Sequence, residues 1–270
     1  MKKHSFVVVR YSVLTLSNAG NFIIGRDTSF EDYRRALFDE ERLKLHDFLF
    51  EKVMLKSIVS QENFDLNDGF TLLVLTSNEL PEFWFNRLEN HVAAYPWIKI
   101  VTVDTKDSVE KALKSEIEKF DEEICYATIR LDDDDALSSD FLYNISAYIK
   151  PEFENYVVSF GAGYEAVFDN DSKKFTEFCE LYYPKVSAGL TKIDIHTPGS
   201  RISPTIYGAG NHVKVDQVYP LILDSRRPSV FRSSYAHQDT SGAGYAKRSK
   251  NSKTVVKDEV LKYFDLKEVL

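Results

Sequence analysis

Strand-like apolar runs alternate with helical patterns through the first 150 residues of this chain. Between residues 30 and 60, Leu45, Phe48 and Leu49 recur at the i, i+3 and i+4 spacing of one helix face. Parallel strands need long crossover connections, which intervening helices supply. The pattern therefore predicts an α/β fold, with a doubly wound, mostly parallel sheet flanked by helices. The strand runs are residues 6–16, 70–75, 98–103 and 126–131, and the helices are predicted at 30–60, 81–94, 108–120 and 140–149.

The second half of the chain has a different character. Residues 156–168 and 174–183 read as two strands of a hairpin around a polar turn at 169–172. A glycine-containing loop follows at 207–212, and residues 226–252 are basic and polar. Because no low-complexity linker and no internal repeat separates the two halves, we predict a single domain over residues 1–270.

Four consecutive carboxylates, Asp132 to Asp135, directly follow the fourth strand run. Like charges at a strand end repel one another unless a cation neutralises them. Mg²⁺ prefers oxygen ligands and usually takes one or two carboxylates together with substrate phosphates. Ligands of doubly wound sheets bind beyond the carboxyl ends of the strands. The run therefore predicts a site for a divalent cation and a diphosphate; the alternative is a solvated acidic turn.

Composition excludes several classes of protein. The formal charge of −8 argues against a general nucleic-acid binder, which needs a basic face. Cys125 lies in an apolar strand pattern and is expected to be a buried thiol, and no Cys/His cluster suggests zinc. Arg10 interrupts the first apolar run, which is too short for a signal peptide or a membrane span. We expect a cytoplasmic protein, and peripheral contact with the inner face of the membrane stays open.

Four segments carry a resemblance to a known family. They are Arg10-Tyr11-Ser12, Leu55-x-Ser57-x-x-x-Gln61, residues 73–77 with Leu80-Pro81, and residues 128–137. They resemble the bacterial family described as "putative rhamnosyltransferase", which implies a GT-A-type nucleotide-sugar glycosyltransferase. The resemblance covers most of the first 150 residues and returns near His237. It implies transfer of a sugar, with rhamnose as one candidate, from a dTDP-, UDP- or GDP-linked donor to a saccharide or lipid-linked saccharide acceptor. The implied process is synthesis of surface polysaccharide or lipopolysaccharide.

In that fold, an Asp-x-Asp (DXD) element holds Mn²⁺ or Mg²⁺ against the two phosphates of the donor. The resemblance assigns this role to residues 132–134, with Asp134 as the direct ligand and Asp135 in the outer shell. Asp132 would face the ribose or the waters of the metal, and Asp133 is assigned to the donor site with it. The resemblance also implies that His237 returns to the metal.

Residues 1–150 would then bind the nucleotide sugar. Polar residues at the ends of the first two strands would contact the base and ribose, although each fits ordinary turn chemistry equally well. Arg130 would either contact the donor or pair with the neighbouring carboxylates. The polar residues in question are Arg10, Tyr11, Ser12, Thr76 and Ser77.

Residues 151–270 would bind the acceptor and end in a flexible, basic-flanked loop suited to closing over the diphosphate. An inverting transfer needs a general base, for which we select His212, with Asp239 as the alternative. The aromatic residues Tyr182 and Tyr183 and the turn at 187–189 would form an acceptor platform. Further base candidates are Glu165, Asp216 and Asp224.

Two other functions stay open at this point. A sugar-nucleotide nucleotidyltransferase would also place carboxylates on a metal, but residues 17–20 are a poor version of its glycine-rich loop. A non-enzymatic, Ca²⁺-binding carbohydrate module would use the aspartates as a calcium site, yet the spacing of an EF-hand is absent from the sequence. Nucleotide affinity would distinguish the enzymes from this module.

Overall fold

The computed structural model describes residues 1–16, 27–235 and 243–270. Eleven strands in this part of the chain form two sheets. In chain order they are β1 (Lys2–Tyr11), β2 (Phe70–Ser77), β3 (Ile98–Val103), β4 (Ile124–Asp132), β5 (Ala136–Leu137), β6 (Val157–Ser159), β7 (Ala162–Asp169), β8 (Lys174–Tyr182), β9 (Thr191–His196), β10 (Leu221–Leu223) and β11 (Val230–Ser234).

The described α-helices lie mainly between the early strands, as the sequence predicts. A π-helical segment, Phe50–Leu55, joins two of them, and 3₁₀ turns occur at Pro151–Phe153 and His212–Gln217. The helices are α1 (Phe30–Leu37), α2 (Glu40–Leu49), α3 (Lys56–Val59), α4 (Glu82–Val92), α5 (Val109–Ile117), α6 (Phe141–Ser146), α7 (Ala243–Ser249) and α8 (Lys257–Val260).

The larger sheet has seven strands in the order β10-β6-β9-β4-β1-β2-β3. Its four adjacent strands β4-β1-β2-β3 are all parallel, and β9 runs antiparallel between β4 and β6. This confirms the predicted α/β fold with a mostly parallel sheet. The register between β1 and β4 sets Arg10 opposite Asp132, so the first strand delivers a cation beside the acidic run.

The predicted first strand extended to residue 16, but β1 ends at Tyr11. Ser12 follows with a φ of 50°, a left-handed conformation that ends the extended strand. The chain then turns above the carboxyl edge of the sheet, where Ser12 lies close to the acidic run of β4.

The smaller sheet has the order β5-β11-β7-β8. The antiparallel pair β7 and β8 confirms the predicted hairpin, although the first part of the predicted strand forms β6 in the larger sheet. The strand β5 directly follows the acidic run and pairs with β11. Asp132 to Asp135 therefore lie where the chain passes from one sheet to the other.

The single long helix predicted at 30–60 is wrong, because the chain breaks between α1 and α2. Asp39 caps α2 by accepting a hydrogen bond from the backbone N–H of Arg42 at 3.0 Å. The helical segment beyond it bridges two apolar cores: Phe50 packs under the larger sheet and Leu49 under the smaller one. This segment fixes the two sheets against each other beside the acidic run.

Both cysteines are buried free thiols, which confirms the expectation for Cys125. No helix in the described part of the chain is long and apolar enough to span a membrane.

Candidate active site

A cleft of about 310 Å³ opens at the carboxyl ends of β1 and β4. It gathers charged and aromatic side chains from both halves of the chain, as ligand sites of open α/β sheets do. The sequence-predicted residues Arg10, Ser12, Arg130 and His212 line it, together with Asp132 to Asp135. The remaining lining residues are Val13, Tyr33, Leu37, Arg42, His46, Tyr183, Ser187, Arg232, Tyr235 and Arg248.

Asp132 is paired with two guanidinium groups. Arg10 Nη2 lies 2.7 Å from Asp132 Oδ1, and Arg130 Nη2 lies 3.5 Å from Oδ2. Burial would raise the pKa of this carboxyl, but Arg130 and Arg10 together hold the pKa far below its usual range. Asp132 is therefore ionised, and Arg10 and Arg130 balance its negative charge.

The ring of Tyr207 holds these two arginines in place. Arg10 Cζ lies 5.5 Å and Arg130 Cζ 5.8 Å from the ring centroid, and the Tyr207 hydroxyl donates to the backbone oxygen of Val8 at 3.0 Å. The loop at 207–212 thus supports the side of the cleft that Arg10 and Arg130 form, a role that the sequence pattern did not predict.

A chain of hydrogen bonds links Asp133 to Asp134 through two distant residues. His46 Nδ1 lies 3.0 Å from Asp133 Oδ2, and His46 Nε2 lies 3.2 Å from the hydroxyl of Tyr235. That hydroxyl also contacts Asp134 Oδ2 at 2.9 Å. The helix α2 and the end of β11 therefore orient the acidic turn from two sides.

Burial and neighbouring carboxylates oppose the ionisation of the last two aspartates of the run, Asp134 and Asp135. Burial and the neighbouring Asp133 raise the pKa of Asp134 to about 6. Burial and Asp134 likewise raise the pKa of Asp135, although Asp135 Oδ1 accepts the backbone N–H of Ser233 at 3.0 Å. A cation at this turn would relieve the repulsion.

A second ion-pair cluster supports the opposite side of the cleft. Glu165 is fully buried and accepts hydrogen bonds from both Arg248, through Nε at 2.8 Å, and Ser234, through its hydroxyl at 2.7 Å. Arg232 Nε lies 4.0 Å from the same carboxylate. Burial opposes ionisation of Glu165, but the hydrogen bonds from Arg248 lower its pKa. Glu165 thus positions the guanidinium groups of Arg248 and Arg232, and this pairing makes it unsuited to act as a general base.

Replacing Glu165 with glutamine should lower the free energy of unfolding by about 1–3 kcal/mol, because charge-assisted hydrogen bonds to Arg248 become neutral ones. Urea denaturation measures this change. The matched control is Glu180→Gln, which removes an exposed ion pair with Lys253 and should cost under about 1 kcal/mol. Equal losses in the two variants would contradict the supporting role of Glu165.

Three residues predicted to contact the nucleotide do not line this cleft. The Tyr11 side chain is fully buried, and its hydroxyl donates to Asp47 at 3.3 Å. Thr76 and Ser77 are also buried, and Ser77 Oγ accepts the backbone N–H of Glu79. These three side chains therefore lie in the interior of the protein and not on the surface of the cleft.

His212 lines the cleft near Tyr183 and Ser187. Its Nδ1 lies 2.7 Å from the backbone oxygen of Lys185, which fixes the neutral ring with the proton on Nδ1 and the lone pair on Nε2. Burial lowers its pKa. The other base candidates lie elsewhere, Asp216 in an exposed ion pair with Lys185 and Asp224 in one with Arg226.

His237 and Asp239 lie outside the described residues, as do residues 17–20 and the first part of the predicted closing loop. Within residues 1–16, 27–235 and 243–270, no three His, Cys, Asp or Glu side chains are grouped to hold a metal ion. Two further lining residues, Arg42 and His46, escaped the sequence analysis. They lie one turn apart on α2, a helix that also buries Leu43 and Leu49. Their spacing, which places two polar side chains on the same face of a helix with buried positions, was the signal available in the sequence.

Comparison with solved structures gives distant likenesses. TarS 1-349 from S. aureus in complex with UDP-GlcNAc is 12% identical, with a TM-score of 0.39 over 97% of this chain and 64% of that chain. A mannosyltransferase from Pyrobaculum calidifontis, in complex with GDP-Man and Mn²⁺, is 13% identical, with a TM-score of 0.37 over 84% and 56%. An inositol-1-phosphate CTP transferase from T. maritima is 11% identical, with a TM-score of 0.34 over 93% and 98%.

This chain spans less than two thirds of the length of the TarS and mannosyltransferase chains. A comparison with curated protein sequences finds no match. The model of one protein family, described as "Putative rhamnosyl transferase", matches residues 5–247. That match spans most of the chain, including both sheets except the start of β1 and every cleft-lining residue except Arg248, so the chain belongs to this family.

Proposed function

We propose that this protein is a metal-dependent glycosyltransferase that moves a sugar from a nucleoside-diphosphate donor to a saccharide acceptor. Membership of the family supports sugar transfer, with rhamnose as the first donor sugar to test. The observation that carries the proposal is the cleft itself, in which Asp134 lies among arginines at the carboxyl edge of the larger sheet. The corresponding process is synthesis of surface polysaccharide or lipopolysaccharide.

The cleft offers guanidinium groups to a diphosphate. Guanidinium is always charged and presents paired N–H donors that match phosphate oxygens. Arg10 and Arg130 are held by Asp132, and Arg248 by Glu165, so their positions are fixed before a ligand arrives. Such preorganisation lowers the entropic cost of binding. The cleft-lining arginines are Arg10, Arg42, Arg130, Arg232 and Arg248.

The donor set fits Mn²⁺ or Mg²⁺. Carboxylate oxygen is the ligand both ions accept, and Mg²⁺ commonly binds one or two carboxylates while phosphates and waters complete its shell. Asp134 is the ligand we propose, because Asp132 is neutralised by two arginines whereas Asp134 has a raised pKa. When bound, the ion would act as a Lewis acid on the departing diphosphate. Asp135 and His237 stay proposed contributors.

The acceptor would enter from the side of His212. With its Nδ1–H donated to the chain and its pKa lowered by burial, the imidazole is neutral at pH 7 and can accept a proton at Nε2. Tyr183 and Ser187 line the same side and would orient the acceptor hydroxyl. We propose that residues 1–150 bind the donor and residues 151–270 the acceptor. The buried thiols fit a cytoplasmic location, and association with the inner membrane face remains part of the proposal.

Calorimetric titration with UDP, GDP and dTDP tests the proposal. At least one of them should bind at least tenfold more tightly in Mn²⁺ or Mg²⁺ than in EDTA. The matching nucleoside monophosphate is the control, since it lacks the second phosphate that a bridging ion needs. Failure of all three to bind, or equal affinity in EDTA, would overturn the metal-dependent mechanism.

The affinity for the nucleoside diphosphate in Mn²⁺ should fall as the pH drops from 7 to 5. A metal ligand must be deprotonated, and the pKa of Asp134 is about 6, so below that pH the affinity should fall by up to about tenfold per pH unit. The diphosphate itself also takes up a proton near pH 6. The Asp134→Asn variant isolates the contribution of Asp134, because its residual pH dependence comes from the diphosphate and from the other proposed metal contributors, Asp135 and His237. Parallel profiles for the two proteins would contradict the assignment.

A further inference from the structure

A groove lies beside β10, the edge strand of the larger sheet, and its lining residues do not include the acidic run. It consists of two cavities of about 480 and 490 Å³, and both are lined by Tyr148, Asp224 and Arg226. Tyr143 lines one end and Tyr182 the other. We refer to this feature as the tyrosine groove. Two cavities that share three lining residues suit an extended ligand better than a single small molecule.

Aromatic rings are the main apolar surface of the groove. The Tyr148 ring is held between Phe153 and Phe160, with centroid distances of 5.9 and 6.1 Å, so its orientation is fixed by packing. Tyr143 and Tyr182 are 55% and 67% exposed, which is unusual for large aromatic side chains. Tyr143 and Tyr182 thus offer their rings to solvent, and the partly buried Tyr148 lines both cavities.

An ion pair, Asp224 with Arg226, lines both cavities. Arg226 Nε and Nη2 donate to the two oxygens of Asp224 at 2.8 and 2.6 Å, and the Tyr148 hydroxyl donates to Asp224 Oδ2 at 3.2 Å. The hydrogen bonds from Arg226 lower the pKa of Asp224 to about 2, so the pair stays ionised. Arg227 is also paired, with Asp140 at 3.3 Å. The groove therefore has no excess of positive charge to attract a polyanion.

The groove adjoins the cleft through consecutive residues, because Tyr182 lines the groove and Tyr183 lines the cleft. This crossing is rigid. Tyr183 donates its backbone N–H to Gly161 O at 2.8 Å, and a Cβ on Gly161 would lie only 2.9 Å from the Cα of Pro184. Only glycine allows the two backbones to approach so closely.

We infer that the tyrosine groove binds the remote, non-reacting units of an extended neutral saccharide acceptor, whose reacting end lies in the cleft. Sugar rings present apolar faces that stack on aromatic rings, and their hydroxyl groups both donate to carboxylates and accept from guanidinium. The groove supplies these groups in fixed positions and without net charge. The inference rests on the proposed function, since it assigns the groove to the acceptor of that reaction.

The test is NMR titration of protein with ¹³C-labelled tyrosine rings, without nucleotide or metal. The probes are four neutral hexasaccharides: maltohexaose, cellohexaose, chitohexaose and an α-linked rhamnose hexasaccharide. At least one should shift the signals of Tyr143, Tyr148 and Tyr182, and the Tyr182→Ala variant should bind it at least fivefold more weakly. Phe83→Ala is the matched control, because Phe83 is 64% exposed and lines neither the groove nor the cleft; its affinity should equal that of the wild type.

Absence of shifts with all four probes, or equal affinity of Tyr182→Ala and the wild type, overturns the inference. Either result leaves the proposed transfer reaction intact, because that reaction is tested by nucleotide binding in the cleft. If instead the hexasaccharide binds and no nucleoside diphosphate does, the proposed function fails and the groove loses its role as an acceptor site while remaining a saccharide site.

Discussion

Sugar transfer should fall by two to three orders of magnitude when Asp134 is replaced by asparagine. The change removes the charge that would hold the metal, and metal-ion stabilisation of a developing charge is worth several kcal/mol. Asparagine keeps the size of the side chain and can still accept the hydrogen bond from Tyr235. The loss should therefore appear in kcat and in Mn²⁺ affinity, measured by donor turnover and by calorimetry. The melting temperature should not fall, because the variant removes a buried charge whose pKa is raised by burial and by Asp133.

Asp140→Asn provides the matched control for this prediction. Asp140 lies shortly after the acidic run, accepts a hydrogen bond from the Ser138 hydroxyl at 2.8 Å and pairs with Arg227, and it does not line the cleft. Its variant should keep activity within a few-fold of the wild type. If Asp134→Asn stayed active with unchanged dependence on Mn²⁺, the acidic run would have another purpose.

The central sheet could be predicted because its signals are local. Each parallel strand is a short apolar run between polar turns, and a helix follows within the same stretch of sequence. The position of the acidic run at a strand end was equally visible, since Asp132 ends β4. The break between α1 and α2 was missed because the capping residue Asp39 lies inside an apparently continuous helical pattern.

The partners of the acidic run could not be predicted, because they come from distant parts of the chain. His46 lies 87 residues from Asp133, and Tyr235 lies 101 residues from Asp134. Pairing of Arg10 with Asp132 depends on the register of β1 against β4. The sequence argument left open that Arg130 pairs with the neighbouring carboxylates, as it does with Asp132 in the folded chain, but it did not foresee that Arg10 would neutralise the same carboxylate.

Strand alternation explains which of the predicted donor contacts line the cleft. Successive side chains of a strand point to opposite faces, so Tyr11 is directed away from the side on which Arg10 meets Asp132. Thr76 pairs in register with Tyr11 on the neighbouring strand and is likewise fully buried. Of the three consecutive residues Arg10, Tyr11 and Ser12, the first and third therefore line the cleft and the second lies in the core.

A large effect on stability is expected far from the cleft, at the buried pair of Lys192 and Asp194 on β9. Both side chains are completely buried, and Lys192 Nζ lies 2.6 Å from Asp194 Oδ1 and 4.9 Å from the ring centroid of Tyr219. Replacing Lys192 with methionine keeps the length of the side chain but leaves a buried carboxylate without its cation. The free energy of unfolding should fall by about 3–5 kcal/mol in urea denaturation at pH 8.

The pH dependence and a double variant identify the cause. Burial raises the pKa of Asp194 to about 6 even though Lys192 opposes the shift, and removing Lys192 should raise it further. The folded-state pKa of Asp194 then exceeds the unfolded value near 3.9. The variant should therefore lose stability as the pH rises from the unfolded to the folded pKa, and it should be more stable near pH 5 than at pH 8. Lys192→Met combined with Asp194→Leu should restore most of the loss, because no buried charge remains. A double variant as unstable as the single one would show instead that packing around β9, and not the uncompensated carboxylate, sets the cost.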